Sequence, residues 1–229
     1  MNTKLFQIGK MSKAFVFIVF LISCAYKQET ILPFYNSPDF TPEWIGKDDS
    51  RFGDIHQIGA FRFMNQSGEF VDNKTFDGRI YITDFFFTTC PGICPKMTNN
   101  LSTIQEVFRH DDDVLILSHS VTPWADTVGQ LQTYARLNEI DPKKWHLVTG
   151  DADKIYEMAR KYYFAERSEG YNKSSDEFLH TENFLLIDHQ RRIRGIYNGT
   201  LAVEMDRLMA DIRTLKKELA TEVFSKRCT

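Results

Sequence analysis

No stretch of this 229-residue sequence stays apolar long enough to cross a bilayer as a mature helix. No segment repeats and none is of low complexity, so a repeat architecture is excluded. Positive charge is not in excess. Lys and Arg number 28 against 31 Asp and Glu, a net charge of −3 that gives no reason to expect nucleic-acid binding. Cysteine is scarce, four in all, and just one pair, Cys90 and Cys94, is closely spaced. Structural zinc would want a second pair of similar spacing, and there is none. With 42% hydrophobic and 26% charged residues, what remains is the composition of a soluble globular domain with extensions.

The most apolar stretch, Ala14 to Ile22, follows Lys4, Lys10 and Lys13 and ends at Ser23-Cys24. A basic start, a short apolar centre and a small residue form the pattern of a secretory signal. Leu21-Ile22-Ser23-Cys24 resembles the bacterial lipobox, in which the cysteine is lipidated and becomes the first mature residue; an ordinary signal peptide is the alternative. The expectation is a signal over 1–23 and an exported lipoprotein, anchored to the membrane through Cys24 and facing the extracytoplasmic space (periplasm). Loss of the three lysines takes the net charge to −6. Residues 24–56 read as a membrane tether and arm, with Pro33, Pro38 and Pro42, and with Phe34, Tyr35, Phe40 and Trp44 able to pack on the domain.

The folded domain is expected over 57–225. Phe61 and Phe63 alternate with polar residues, Asn65 to Gly68 is turn chemistry, and Glu69 to Val71 returns, which predicts a hairpin. Ile80 to Phe87 is a buried central strand and Val114 to Leu117 a second. Helices are expected over Met97–Phe108, Trp124–Leu137, Asp153–Tyr163 (capped by Asp151) and Glu204–Val223. A short strand lies at Trp145–Val148. Asn183–Ile187 and Ile193–Tyr197 form a closing hairpin. Alternating strands and helices imply parallel strands with helices on both faces, and the closing hairpin makes the sheet mixed. This is an α/β, thioredoxin-like plan, a mixed central sheet flanked by helices with an N-terminal β-hairpin extension. The cysteines then fall at the carboxyl end of a central strand, where open α/β sheets place their sites.

The pair lies in Thr88-Thr-Cys-Pro-Gly-Ile-Cys-Pro-Lys-Met97. Pro95 suits a first helical turn, so Cys94 lies near a helix start and Cys90 in the loop before it. Amide hydrogens and the positive end of the helix dipole favour a thiolate there, and a lowered pKa is expected for at least one cysteine. A thiolate attacks a disulfide or a peroxide, or ligates a soft metal. Thioredoxin-type enzymes have two residues between their cysteines, and here there are three. A peroxiredoxin motif would want Pro and Thr where Thr83 and Phe87 stand. A redox couple, a soft-metal site and a structural disulfide remain open. Among the histidines, His110 and His189 read as solvated and His146 as a satisfied core residue. His180, where a polar loop enters the closing hairpin, is a candidate ligand. Cys228, beside the C-terminus, reads as a loose surface thiol.

Phe85 to Met97 resembles the signature of the Sco/SenC family of copper proteins. Leu147-Val-Thr-Gly150 and Phe178-Leu-His-Thr181 extend the likeness, which runs from about Ile58 to Tyr197. The resemblance implies a thioredoxin-like, membrane-tethered metallochaperone that serves assembly of the dinuclear copper site of cytochrome c oxidase. It implies one copper ion per domain on Cys90, Cys94 and His180. The implied partners are copper donor proteins and the oxidase's copper-binding subunit. A thiol–disulfide oxidoreductase, with Cys90 and Cys94 as the redox pair keeping client thiols reduced, is the alternative. One departure stands out. Where the family reads Ser-Val-Asp-Pro, this chain has Ser120-Val-Thr-Pro123 and lacks the aspartate, while Asp126-Thr127 is kept. His119, nearby, reads as solvated or as a neighbour of the copper ligands.

Overall fold

A computed structural model describes residues 31–165 and 181–227. Cys24, His180 and Cys228 lie outside the described residues. A small ribbon opens the domain, with β1 (Phe34–Tyr35) antiparallel to β2 (Pro42–Glu43). The hairpin of β3 (Arg62–Asn65) and β4 (Phe70–Asp72) follows. Gly68 turns it at φ +77°, in the left-handed region that favours glycine. A one-turn helix α1 (Asn73–Phe76) leads to the central strand β5 (Ile80–Phe86). Next come α2 (Cys94–Val107), β6 (Val114–Ser120), α3 (Val128–Leu137), β7 (Trp145–Thr149) and α4 (Ala152–Glu157). The closing hairpin of β8 (Asn183–Ile187) and β9 (Ile193–Asn198) and the long helix α5 (Ala202–Arg227) complete the chain.

Seven strands form one sheet in the order β4-β3-β7-β6-β5-β8-β9. β5, β6 and β7 run parallel and the rest antiparallel, so the sheet is mixed as the element order predicts. Both faces of β5 and β6 are buried. On one face lie Ile82, Phe86, Cys94, Met97, Leu101, Ile116, Leu131, Trp145 and Leu208, so α2, α3 and α5 pack there. On the other lie Phe61, Phe63, Tyr81, Phe85, Leu117, Ile155 and Tyr163.

The structure corrects several boundaries. Trp124 begins no helix and is 65% exposed. The amides of Ala125 and Asp126 close a turn on the Thr122 carbonyl, and the Thr127 side chain then caps α3 by accepting from the Gln130 amide. Asp151 caps α4 as expected, but past Glu157 the helix widens into a π turn over Met158–Tyr162. β6 runs three residues beyond the expected Leu117, to Ser120.

The arm is fastened to the domain at its first described residues. Arg194 donates to the carbonyls of Leu32 (2.8 Å) and Pro33 (3.1 Å), and the Leu32 amide donates to Glu218 on α5 (3.1 Å). Arg192 and Arg194 lie over the Phe34 ring and share the buried Asp188 carboxylate. Tyr35 and Phe40 pack on the domain as expected, while Trp44 does not and stays 65% exposed. Among the described residues no helix is long and apolar enough to cross a membrane.

Candidate metal and redox site

The buried strand β5 delivers the chain to the carboxyl end of the parallel strands, and the loop there turns directly into α2. The Cys90 amide donates to the Phe87 carbonyl (3.3 Å), and Pro95 sits in the first turn of α2. Ile93, at the helix start, provides no side-chain cap. The amides of Gly92, Ile93 and Cys94 are therefore free to point at something else, and they point at the Cys90 sulfur.

Cys90 is half-buried and Cys94 is 4% exposed; both are free thiols, hydrogen-bonded to each other. Burial pushes the Cys90 thiol up, but the amides of Cys94, Gly92 and Ile93 and the Cys94 thiol favour its thiolate, and the balance falls below the ordinary thiol value. Cys94 goes the other way. Burial pushes it up to about 12 against the pull of the Phe87 amide, and Cys90 and Asp84 add to the rise. The outer sulfur is thus the better nucleophile of the two, and the inner one holds its proton more tightly.

Behind Cys94, on the same face of the sheet, lies Asp84. It is fully buried, accepts a hydrogen bond from the Ser118 hydroxyl, and is raised to about 7 by burial despite that bond. The Trp145 indole donates to Ser118 in turn (2.8 Å). Tyr134 packs its ring on Phe86 and hydrogen-bonds Thr98 (2.7 Å). Burial raises its phenol to about 12, with Asp84, Cys94 and Cys90 adding to the shift.

At its root the loop is held by Asp126, which accepts from the Thr88 hydroxyl (2.6 Å) and the Thr88 amide (3.3 Å). Asp84 was visible in the sequence as the one acid in an otherwise uncharged strand, and Asp126 as a retained motif residue. The contacts that tie them to other segments, Asp84 to Ser118 and Asp126 to Thr88, were not visible, because those partners lie more than thirty positions away.

The other histidines sort clearly. His119 is neither solvated nor near the cysteines. It is fully buried on the opposite face of the sheet, ringed by Phe61, Phe63, Phe85 and Tyr163. His146 is buried as expected, although its Nδ1 has no hydrogen-bond partner. His110 is exposed. Among the described residues no three His, Cys, Asp or Glu side chains gather as a metal site. The segment that follows His180 starts at the cysteine end of the sheet and runs away from it. β8 runs antiparallel to β5 with Leu185 opposite Thr83, so the chain entering β8 comes from the end of β5 where the cysteine loop leaves. Asn100 of α2 donates to the Gly199 carbonyl (2.8 Å), and the Gly199 amide donates to the Glu182 carbonyl (2.6 Å). Gly199 has no room for a side chain: a Cβ there would lie 2.6 Å from the Phe184 ring and 2.9 Å from the Glu182 carbonyl.

Residues 51–217 match the SCO1/SenC family model. Among solved structures, a SCO1/SenC family lipoprotein from Bacillus anthracis is 25% identical, with a TM-score of 0.62 over 71% of this chain and 96% of its own. BsSco, a member of the Sco family of cytochrome c oxidase assembly proteins in which a disulfide switch was identified, is 29% identical, with a TM-score of 0.61 over 71% of this chain and 95% of its own. Arabidopsis thaliana ScoI, solved with copper bound, is 25% identical, with a TM-score of 0.53 over 69% of this chain and 98% of its own. The family match spans well over half of the sequence, the fold agrees over 69–71% of it, and the cysteine loop stands where the sheet places its site: the chain belongs to the SCO1/SenC family.

Proposed function

We propose that this protein is a copper metallochaperone that binds one ion through Cys90, Cys94 and His180 and serves assembly of the dinuclear copper site of cytochrome c oxidase. It takes copper from donor proteins and passes it to the oxidase's copper-binding subunit. It works in the extracytoplasmic space, anchored through lipid on Cys24. The observation that carries this reading is the convergence of the two sulfurs at the helix start, the outer one half-buried and held toward thiolate by three amides. Two soft sulfurs suit Cu(I), and an imidazole suits either oxidation state. The direction from which the chain enters β8 supports His180 as the third ligand. Copper is cargo here, so ligands presented at a rim serve better than an enclosed cage.

The test is a Cu(I) titration of the reduced protein beside a His180→Ala variant. The wild type should bind one ion, and the variant should retain only a weaker two-sulfur site. Equal affinity and an unchanged spectrum in the variant would remove His180 from the site.

The split between the cysteines favours a second reading, a thiol–disulfide oxidoreductase that keeps client copper-ligand thiols reduced. A low-pKa outer sulfur attacks, and a protonated inner one resolves. That activity needs no His180, so disulfide exchange should survive His180→Ala.

A further inference from the structure

Asp126 is fully buried, and no lysine or arginine among the described residues pairs with it. Its oxygens are satisfied by neutral donors: the Thr88 amide (3.4 and 3.3 Å), the Thr88 hydroxyl (2.6 Å), the Ser120 hydroxyl (2.6 Å) and the Thr122 hydroxyl (3.0 Å). Gln130 donates to the same Thr88 hydroxyl from outside (3.1 Å). A carboxylate buried without a cation is a poor way to gain stability, since apolar packing of the same volume would serve better. It does fix geometry, because each donor is held to one place.

The geometry of the loop shows what is fixed. Thr88 stands between two residues that both bear on the sulfurs. Phe87, before it, gives its amide to Cys94 and its carbonyl to the Cys90 amide. Cys90, two residues after it, carries the outer sulfur. Ser120 ends β6 in register with Phe86. Asp126 therefore ties together the ends of β5 and β6, the cap of α3 and the root of the cysteine loop. We infer that Asp126 is a positioning residue for the Cys90–Cys94 pair, acting through Thr88 to hold the loop in the form in which both sulfurs converge. The inference rests on the metal-binding reading for its consequence and on these hydrogen bonds for its substance.

Asp126→Asn keeps the shape but puts an amide's hydrogens among groups that already donate. Two readouts follow, hydrogen exchange of the backbone amides over 88–94 and the Cu(I) dissociation constant of the full chain by competition with a chromophoric chelator. Exchange across the loop should quicken about tenfold while β8 and β9 keep wild-type protection. The dissociation constant should rise about tenfold, the low end of what outer-shell partners of a metal site deliver. Thr88→Val, which removes one hydroxyl and spares the amide contact, should move both in the same direction by less, and it carries the test if Asp126→Asn does not fold. Tyr197→Phe is the comparator. It removes a 2.7 Å hydrogen bond to Asp211 on α5, so it should lower the melting temperature and leave both readouts alone. Wild-type loop exchange in a folded Asp126→Asn protein would overturn the inference. So would faster exchange over the whole sheet with no excess in the loop. A wild-type protein that binds no copper would defeat the metal-binding reading instead, and the exchange measurement would still decide the role of Asp126.

Discussion

At neighbouring positions the two faces of the sheet bury ionisable groups that they treat in opposite ways. On the face covered by α2, α3 and α5, Asp84 of β5 stands in register with Ser118 of β6. On the other face, one position along, Phe85 stands in register with His119. Asp84 has a hydroxyl donor, with an indole behind it, and burial lifts it to about 7. His119 has the Thr83 hydroxyl at 3.2 Å on Nδ1, nothing on Nε2, and aromatic rings around it. Burial pushes it down to about 3, against the pull of the Asp84 carbonyl. Burial disfavours charge in both, so one face resists a negative charge and the other a positive one. The difference matters because Asp84 shares its face with Cys94, whereas His119 is sealed away from the cysteines.

The largest effect that sharpens this contrast is on copper. Cys90→Ser or Cys94→Ser should abolish tight Cu(I) binding, while His119→Phe should leave the dissociation constant unchanged in the same competition assay. A copper defect in His119→Phe with a native fold would break the separation of the faces.

Acid stability comes next. The folded His119 pKa lies below its unfolded value, so its contribution is present above about 6.5 and is lost as pH falls toward 3. The difference is on the order of 4–5 kcal/mol across that window. Chemical denaturation of His119→Phe should show a flattened acid limb, and a limb as steep as wild type would show that His119 is not the group that titrates.

Asp84 has the reverse sign. Its folded pKa lies above the unfolded value, so stability is greatest below about 3.8 and is lost as pH rises through 7. Asp84→Asn should recover up to about 4 kcal/mol at pH 8 and almost nothing at pH 4, read from urea midpoints. An equal gain at both pH values would mean that ionisation has no part in it.

The smallest effect tests the support behind the acid. Trp145→Phe removes the indole donor to Ser118 and should cost about 1–2 kcal/mol. It should also move the Asp84 titration, followed by infrared carboxyl absorption, while leaving the His119 ring signals in place.

How much of this was legible depended on range. The Ile80–Phe87 apolar run announced β5, and Pro95 marked the start of α2, because both signals are local. Ending β6 at Leu117 hid His119. Carried on to Ser120, the alternation of the strand sends Ser118 to the cysteine face and His119 to the other, and the expectation of a solvated histidine fails. Trp124 looked like the first apolar residue of a helical stripe, but the turn built by Thr122, Asp126 and Thr127 overrides that periodicity. The cysteine loop was legible as a motif, yet the acids that set its surroundings work through Ser118, Trp145 and Thr88. Those are tertiary contacts, and no spacing rule announces them.

The fastening of Leu32 and Pro33 fixes an order of events in biogenesis. Leu32 is held by Glu218, 186 positions later, and by Arg194, and neither exists while the first part of the chain is being made. A chain synthesised from its N-terminus must therefore leave residues 31–35 undocked until β9 and α5 have formed. Throughout that interval the segment stays unfastened and open to whatever acts on the growing chain. Docking of the arm then marks the completion of the domain, since it requires the last helix to be in place.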